Sequence, residues 1–287
     1  MKLKGKVVIV TGAGRGLGRA IAIKYASEGA RIALVSRTGA ELRETESRLN
    51  GSGHEVVEAD VSDEMQVGHL VKRVLSDLGT IDILVNNAGT IDPIGPASGV
   101  TGAEWTRSIH LNLFGTFYCT HSVLPTLMAK KSGKIINIAG SGEGPLPNFS
   151  AYAASKSAII RFTETLAEEI RRYNIDVNAM APGGIMTRMT ERIYHAGELS
   201  GEKEVGRART IMDTGGVPLD VPAELALFLA SDDSDGLTGK IISAVHDDWK
   251  SLGGNIKSVT ESDMYTMRRV DSRNEKRLRS SLSERSP

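Results

Sequence analysis

The stretch "VVIVTGAGRGLGRAIA", residues 7–22, decides the fold of this chain. Val7 to Thr11 form an almost continuous apolar, β-branched run, the character of a strand buried on both faces. Gly12, Gly16 and Gly18 follow at once, and "GLGRAIAIKYASEG" then takes up helical spacing and closes on a glycine. The same alternation repeats outward along the chain. "RIALVS", "HEVVEAD", "IDILVNN", "GKIINIA", "IDVNAMA" and "GKIISAV" read as further strands, and amphipathic stretches such as "MQVGHLVKRVLSDLG" lie between them. Strand–helix alternation over this length predicts an α/β chain: one doubly wound, Rossmann-type, seven-stranded parallel sheet with helices on both faces.

Residues 1–249 are expected to form that single domain. Residues 188–217, long, polar and helical in spacing, interrupt it where a substrate lid belongs. Residues 250–287 form a C-terminal extension rich in Ser, Arg and Lys. It is expected to be partly disordered, or to dock on a neighbouring subunit or over an active site.

Composition narrows the partners. Lys+Arg and Asp+Glu both number 35, so charge gives no reason to expect nucleic acid or an anionic membrane. The single cysteine, Cys119, has no disulfide partner within the chain and fits a reducing compartment as a packed core thiol. The N-terminus enters a strand directly, without a signal-peptide core, and no apolar run has the length of a membrane span. The expectation is a soluble cytoplasmic protein.

The glycine turn between strand and helix is suited to a pyrophosphate. Glycine permits the tight bend and close approach, while the helix N-terminus offers unpaired N–H groups and a positive dipole end. About twenty residues on, where an NAD site carries an acidic residue, the chain reads "VSRT". Ser36, Arg37 and, within the turn, Arg15 suit a 2′-phosphate through charge-assisted hydrogen bonds. Solvated surface arginines are the competing explanation. NADP(H) is expected in preference to NAD(H).

Tyr152 and Lys156 lie at i and i+4 in "SAYAASKSAIIRFTETLAEEI", on one face of an amphipathic helix. A free tyrosine, with a pKa near ~10, is a poor acid or base at neutral pH. A nearby ammonium would stabilise its phenolate and lower that value. By itself this spacing is common and would describe an ordinary surface pair.

In order along the chain, "TGAGRGLG" (11–18, including Leu17), "DV" (60–61), "NNAG" (86–89), Asn112 in "LNLFG", "YAASK" (152–156) and "PGGIMT" (182–187) are jointly specific. With them the sequence resembles the short-chain dehydrogenase/reductase family over residues 1 to about 245, in particular its NADP-preferring 3-oxoacyl reductase-like members. The resemblance implies that Asp60 and Val61 hold the adenine. It implies that Asn86 and the turn Asn87, Ala88 and Gly89 brace the sheet and line the cofactor. Tyr152 would be the general acid/base, Lys156 would grip the nicotinamide ribose, and Asn112 would anchor a relay water. Pro182, Gly183, Ile185 and Thr187 would meet the nicotinamide end.

Two departures stand out. The family's substrate-orienting serine usually lies about a dozen residues before the tyrosine. Thirteen before is Ala139, so the expectation shifts to Ser141 in "IAGSGEG". Ser150 stands at the helix start and reads as an N-cap. Secondly, the chain continues past "ISAVHDDWKSLGG" where family members commonly end, and His246, Asp247 and Asp248 read as a turn rather than a metal site. No metal is expected.

Two readings remain open. One is an NADP(H)-dependent oxidoreductase acting on CH–OH donors, interconverting a carbonyl and a secondary alcohol by hydride transfer, as a homodimer or homotetramer. The other is a catalytically impaired NADP-binding regulatory or structural protein. The Tyr/Lys/Asn set favours the first and Ala139 leans toward the second. The charged lid favours a polar or anionic substrate over a bare hydrocarbon.

Overall fold

In a computed structural model of the chain, the residues described are 1–140 and 144–271. Ser141, the expected substrate-orienting serine, and the neighbouring Glu143 lie outside the described residues, as do residues 272–287.

All seven expected strands form: β1 (Val7–Thr11), β2 (Arg31–Ser36), β3 (Glu55–Glu58), β4 (Ile83–Asn86), β5 (Gly133–Ile138), β6 (Ile175–Ala181) and β7 (Ile241–Ser243). They pair in parallel in the order β3-β2-β1-β4-β5-β6-β7. Val8 stands opposite Ile32 on β2 and Ile83 on β4. Because side chains alternate across a strand, Val8 and Val10 enter one core and Val7 and Ile9 the other. The first core packs under α1 (Gly16–Ser27) and α9 (Asp220–Ala230), where the Tyr25 hydroxyl donates to the Ala226 carbonyl at 2.6 Å. The second packs under α3 (Glu64–Leu78), α5 (Gly115–Lys130) and α6 (Ser150–Glu169). Cys119 is buried there, and burial pushes its thiol up to about 12. It is a core thiol.

The remaining helices are α2 (Gly39–Glu46), α4 (Gly102–Ile109), α7 (Arg188–His195), α8 (Glu202–Thr214) and α10 (Ile256–Thr260). Between β6 and α9, α7 and α8 make up the insertion expected as a lid. Its base is pinned where Ile185 bridges Gly216 and the Val217 N–H donates to the Gly184 carbonyl at 2.8 Å. None of the described helices is long and apolar enough to cross a membrane.

The extension, as far as it is described, docks on its own chain. The Ile241 N–H on β7 donates to the Tyr265 carbonyl at 2.8 Å, so the strap covers the outer edge of β7. Buried Glu164 on α6 accepts from the Met267 N–H at 2.7 Å and the Arg268 guanidinium at 3.2 Å. The segment at 246–248 is a turn, with the Asp247 carboxylate accepting from the Ser243 N–H at 2.6 Å.

Order reversal at β1 leaves β2 on one side and β4 on the other, which opens a crevice at the carboxyl ends of these strands. The glycine turn after β1 and the Asn-Asn-Ala-Gly turn after β4 both face it.

Candidate active site

The floor of the crevice is stapled from β4. The Thr11 hydroxyl accepts from the Asn87 and Ala88 N–H groups at 2.9 and 3.1 Å. The Asn87 amide donates to the Thr11 and Gly12 carbonyls at 2.9 and 3.2 Å. Asn87 thus shapes the glycine turn instead of presenting its amide to a ligand. Below it, Asn86 donates to Asn137 at 2.9 Å, and Asn137 donates to Thr163 at 2.9 Å, which locks α6 to the sheet.

The glycine turn itself tolerates no side chain where it crosses. Gly12 has φ +65° and Gly16 φ +54°. A Cβ on Gly18 would collide with the Gly12 carbonyl oxygen and lie 2.5 Å from the Asn87 amide nitrogen. The first turn of α1 has neither a side-chain cap nor an acidic residue. Its N–H groups are therefore available to an anion, and the cradle fits a dinucleotide pyrophosphate. Leu17 is buried beneath it, and Thr187, just before α7, lies over Gly16.

Beside this cradle the two arginines expected at a phosphate are already engaged. Arg15 donates to Glu41 at 3.0 Å, and Arg188 of α7 reaches the same carboxylate at 2.9 Å. Arg37 lies 3.6 Å from Asp60, whose other oxygen accepts from Ser62. These arginines are not solvated singly. The Ser36 hydroxyl accepts from the Thr38 N–H at 3.2 Å, and Ser36 borders Gly14 of the turn. Val61 is buried against Gly115.

On the other side of the crevice, Tyr152 and Lys156 share a face of α6, with the ammonium 5.8 Å from the ring centroid. Lys156 donates to the Ile138 carbonyl at 2.6 Å and also borders Gly89. Asn112 sits in a π-helical turn, His110–Phe114, a distortion often found at functional sites. Its Oδ1 accepts from the Thr90 N–H at 2.8 Å, while Nδ2 donates to the Thr90 carbonyl and the Ser155 hydroxyl at 3.0 Å each. Both amide protons are thus spent on holding the post-β4 loop against α6. Pro182 and Gly183 begin the loop after β6, and Gly183 turns with φ +86° beneath Val245.

Two expectations need correction here. Ser150 is not an N-cap: Phe149 occupies that position without a side-chain bond, and the Ser150 hydroxyl accepts from the Trp105 indole at 3.2 Å. Ala139 is not a hydroxyl lost from the site, because it packs into the core with Ile160 and Ala179. Gly140 is the residue against Tyr152, and a Cβ there would collide with the phenol hydroxyl. Burial pushes Tyr152 up to about 12, and Arg207, from α8, pulls it down.

Sequence reasoning missed Arg207, Gly140 and a second lid contact. Arg192, one turn beyond Arg188, grips Asp92 after β4 at 2.6 and 3.0 Å. Helix α7 is therefore tied to both rims of the crevice, at Glu41 and at Asp92. No local motif announces such pairs, because their members lie 100 residues or more apart.

Lys156 is costly where it stands. Burial lowers its pKa from 10.5 to about 8. Between these values the unfolded chain holds one more proton, so stability rises with pH across that window and the penalty is fully present at neutral pH. The gap corresponds to roughly 3 kcal/mol, set against about 1 kcal/mol for the bond to Ile138. Lys156→Met should therefore be more stable at pH 7 by about 1–2 kcal/mol. It should also flatten the rise between pH 8 and 10. Melting curves at pH 7 and 9.5 test this, and a variant less stable at both values would refute it.

The family model described as short chain dehydrogenase matches residues 6–197. The 3-oxoacyl-[acyl-carrier-protein] reductase of Thermotoga maritima is 36% identical over 248 residues, covering 84% of this chain and 97% of that protein. Among solved structures, levodione reductase superposes with a TM-score of 0.77 at 31% identity, covering 84% of this chain and 96% of its own. An NAD+-bound xylitol dehydrogenase gives 0.73 at 30% identity, covering 85% and 98%. Sequence motifs, strand order and these likenesses agree: the chain belongs to the short-chain dehydrogenase family.

Proposed function

We propose that the protein is an NADP(H)-dependent oxidoreductase interconverting a carbonyl and a secondary alcohol on a small molecule. The observation that supports this most is the placement of Tyr152 and Lys156. They lie on one helix face, against Gly140 and Gly89, at the carboxyl edge of the sheet beside an uncapped glycine turn.

When bound, the nicotinamide supplies or accepts the hydride. The chain's own part is to hold and move the proton. Tyr152 would donate it to a carbonyl oxygen or take it from an alcohol. Lys156, anchored on the Ile138 carbonyl, is within reach of the ribose that would lie over Gly89. Asn112 fixes the loop after β4, and a relay water could use its carbonyl but not its amide protons, which are already donated. Ile185 and Thr187 would border the carboxamide end.

Preference for the 2′-phosphate rests on Ser36, Arg37 and Arg15 and on the lack of a carboxylate at the end of β2. A phosphate there would exchange the Asp60 and Glu41 contacts of these arginines for its own. Arg37→Asp should weaken NADPH binding by about tenfold or more while leaving NADH binding little changed. Calorimetry with both cofactors tests it, and equal or tighter NADH binding by the unmodified protein would refute the preference. A cytoplasmic homodimer or homotetramer completes the reading.

A further inference from the structure

We infer that Arg207 makes this site specific for carbonyl substrates that carry an oxyanion, a carboxylate or a phosphate, bound by its guanidinium. The inference rests on the proposed oxidoreductase reading. Helix α8 lies with Ile211 against Gly184 and Gly216, at the loop that follows β6. Arg207 is one turn earlier on the same face, and its guanidinium approaches to 4.0 Å from where a Cβ on Gly184 would stand. Its charge is felt at the Tyr152 hydroxyl, the group that would exchange the proton.

The other lid arginines are engaged. Arg188 pairs with Glu41, Arg192 pairs with Asp92, and Arg209 lies 5.9 Å from the centre of the Tyr194 ring. Among the described residues, Arg207 has neither a hydrogen-bond nor an ion-pair partner. An exposed, forked donor without a counter-charge, at Gly184 in the loop after β6 and one turn from Ile211, suits a planar carboxylate or a phosphate on a small carbon skeleton. An anion there would also hold its carbonyl near Tyr152, so binding and orientation would come from one contact.

Ketones paired on a shared keto skeleton, one with an anionic group and one without, separate this contact from general affinity. Levulinate would be compared with ethyl levulinate, and dihydroxyacetone phosphate with dihydroxyacetone. Each would be titrated calorimetrically into the full chain saturated with NADP+, where a ketone cannot react. At least one anion should bind about ten- to a hundredfold more tightly than its neutral partner. Arg207→Gln should abolish that ratio, and Arg207→Lys should retain part of it. The pair that shows the ratio tells carboxylate from phosphate. If NADP+ itself does not bind, the cofactor reading fails and the inference falls with it. If NADP+ binds but no anion is favoured, or the ratio survives Arg207→Gln, the assignment to Arg207 alone is overturned.

Discussion

Tyr152→Phe should lower turnover by about a thousandfold, within the range for loss of a general acid. It should leave folding and NADPH affinity almost intact. Among the described residues the phenol hydroxyl has no hydrogen-bond partner, so its removal orphans no donor or acceptor among them. The ring keeps its half-buried place on α6. The loss should appear equally in kcat and in kcat/KM, since the proton moves only in the reacting complex. Single-turnover oxidation of NADPH with a reducible ketone would measure it. Retention of more than about a tenth of the rate would mean that another group supplies the proton.

The second large effect concerns a glycine. A Cβ at Gly140 would lie 3.0 Å from Cζ and 3.2 Å from Cε1 of Tyr152, besides colliding with its hydroxyl. What stands in the way is the end of a side chain, so the ring can swing aside, and Gly140→Ala should cost only about 1 kcal/mol of stability. Catalysis is less forgiving, because a displacement of about 1 Å at the reacting group can cost a hundredfold. Gly140→Ala should therefore bind NADPH normally and turn over about a hundred times more slowly. Unchanged turnover would show that Tyr152 does not work from this pose. Gly140→Ser should fare no better, since its Cβ meets the same hydroxyl before any serine oxygen can help.

The strands were legible because a parallel sheet covered on both sides imposes the same demand at nearly every position. Val8, Ile83 and Ile135 sit in unbroken apolar runs for that reason. The glycine turn was legible because a backbone crossing admits only Gly at position 18. Tyr152 and Lys156 could be placed on one face by helical spacing alone. Their electrostatics could not. Spacing suggests an ammonium acting on a phenol; it does not show that burial raises the phenol and lowers the ammonium, nor that a further charge reaches Tyr152 from Arg207, in another helix. Ser150 misled because a serine at a helix start usually caps it, and here Trp105 claims the hydroxyl. Ala139 misled because counting back from the tyrosine cannot tell which residues of a loop face inward.

The strap at the end of the described chain bears on how copies of this protein can meet. An outermost strand normally offers a row of unsatisfied backbone groups, an open invitation to a second sheet. Here the Tyr265 carbonyl has taken the Ile241 N–H, and the Lys240 ammonium is held by the Ser262 carbonyl at 2.6 Å. With that position taken from within, another sheet could pair at Ile241 of β7 only by displacing the strap.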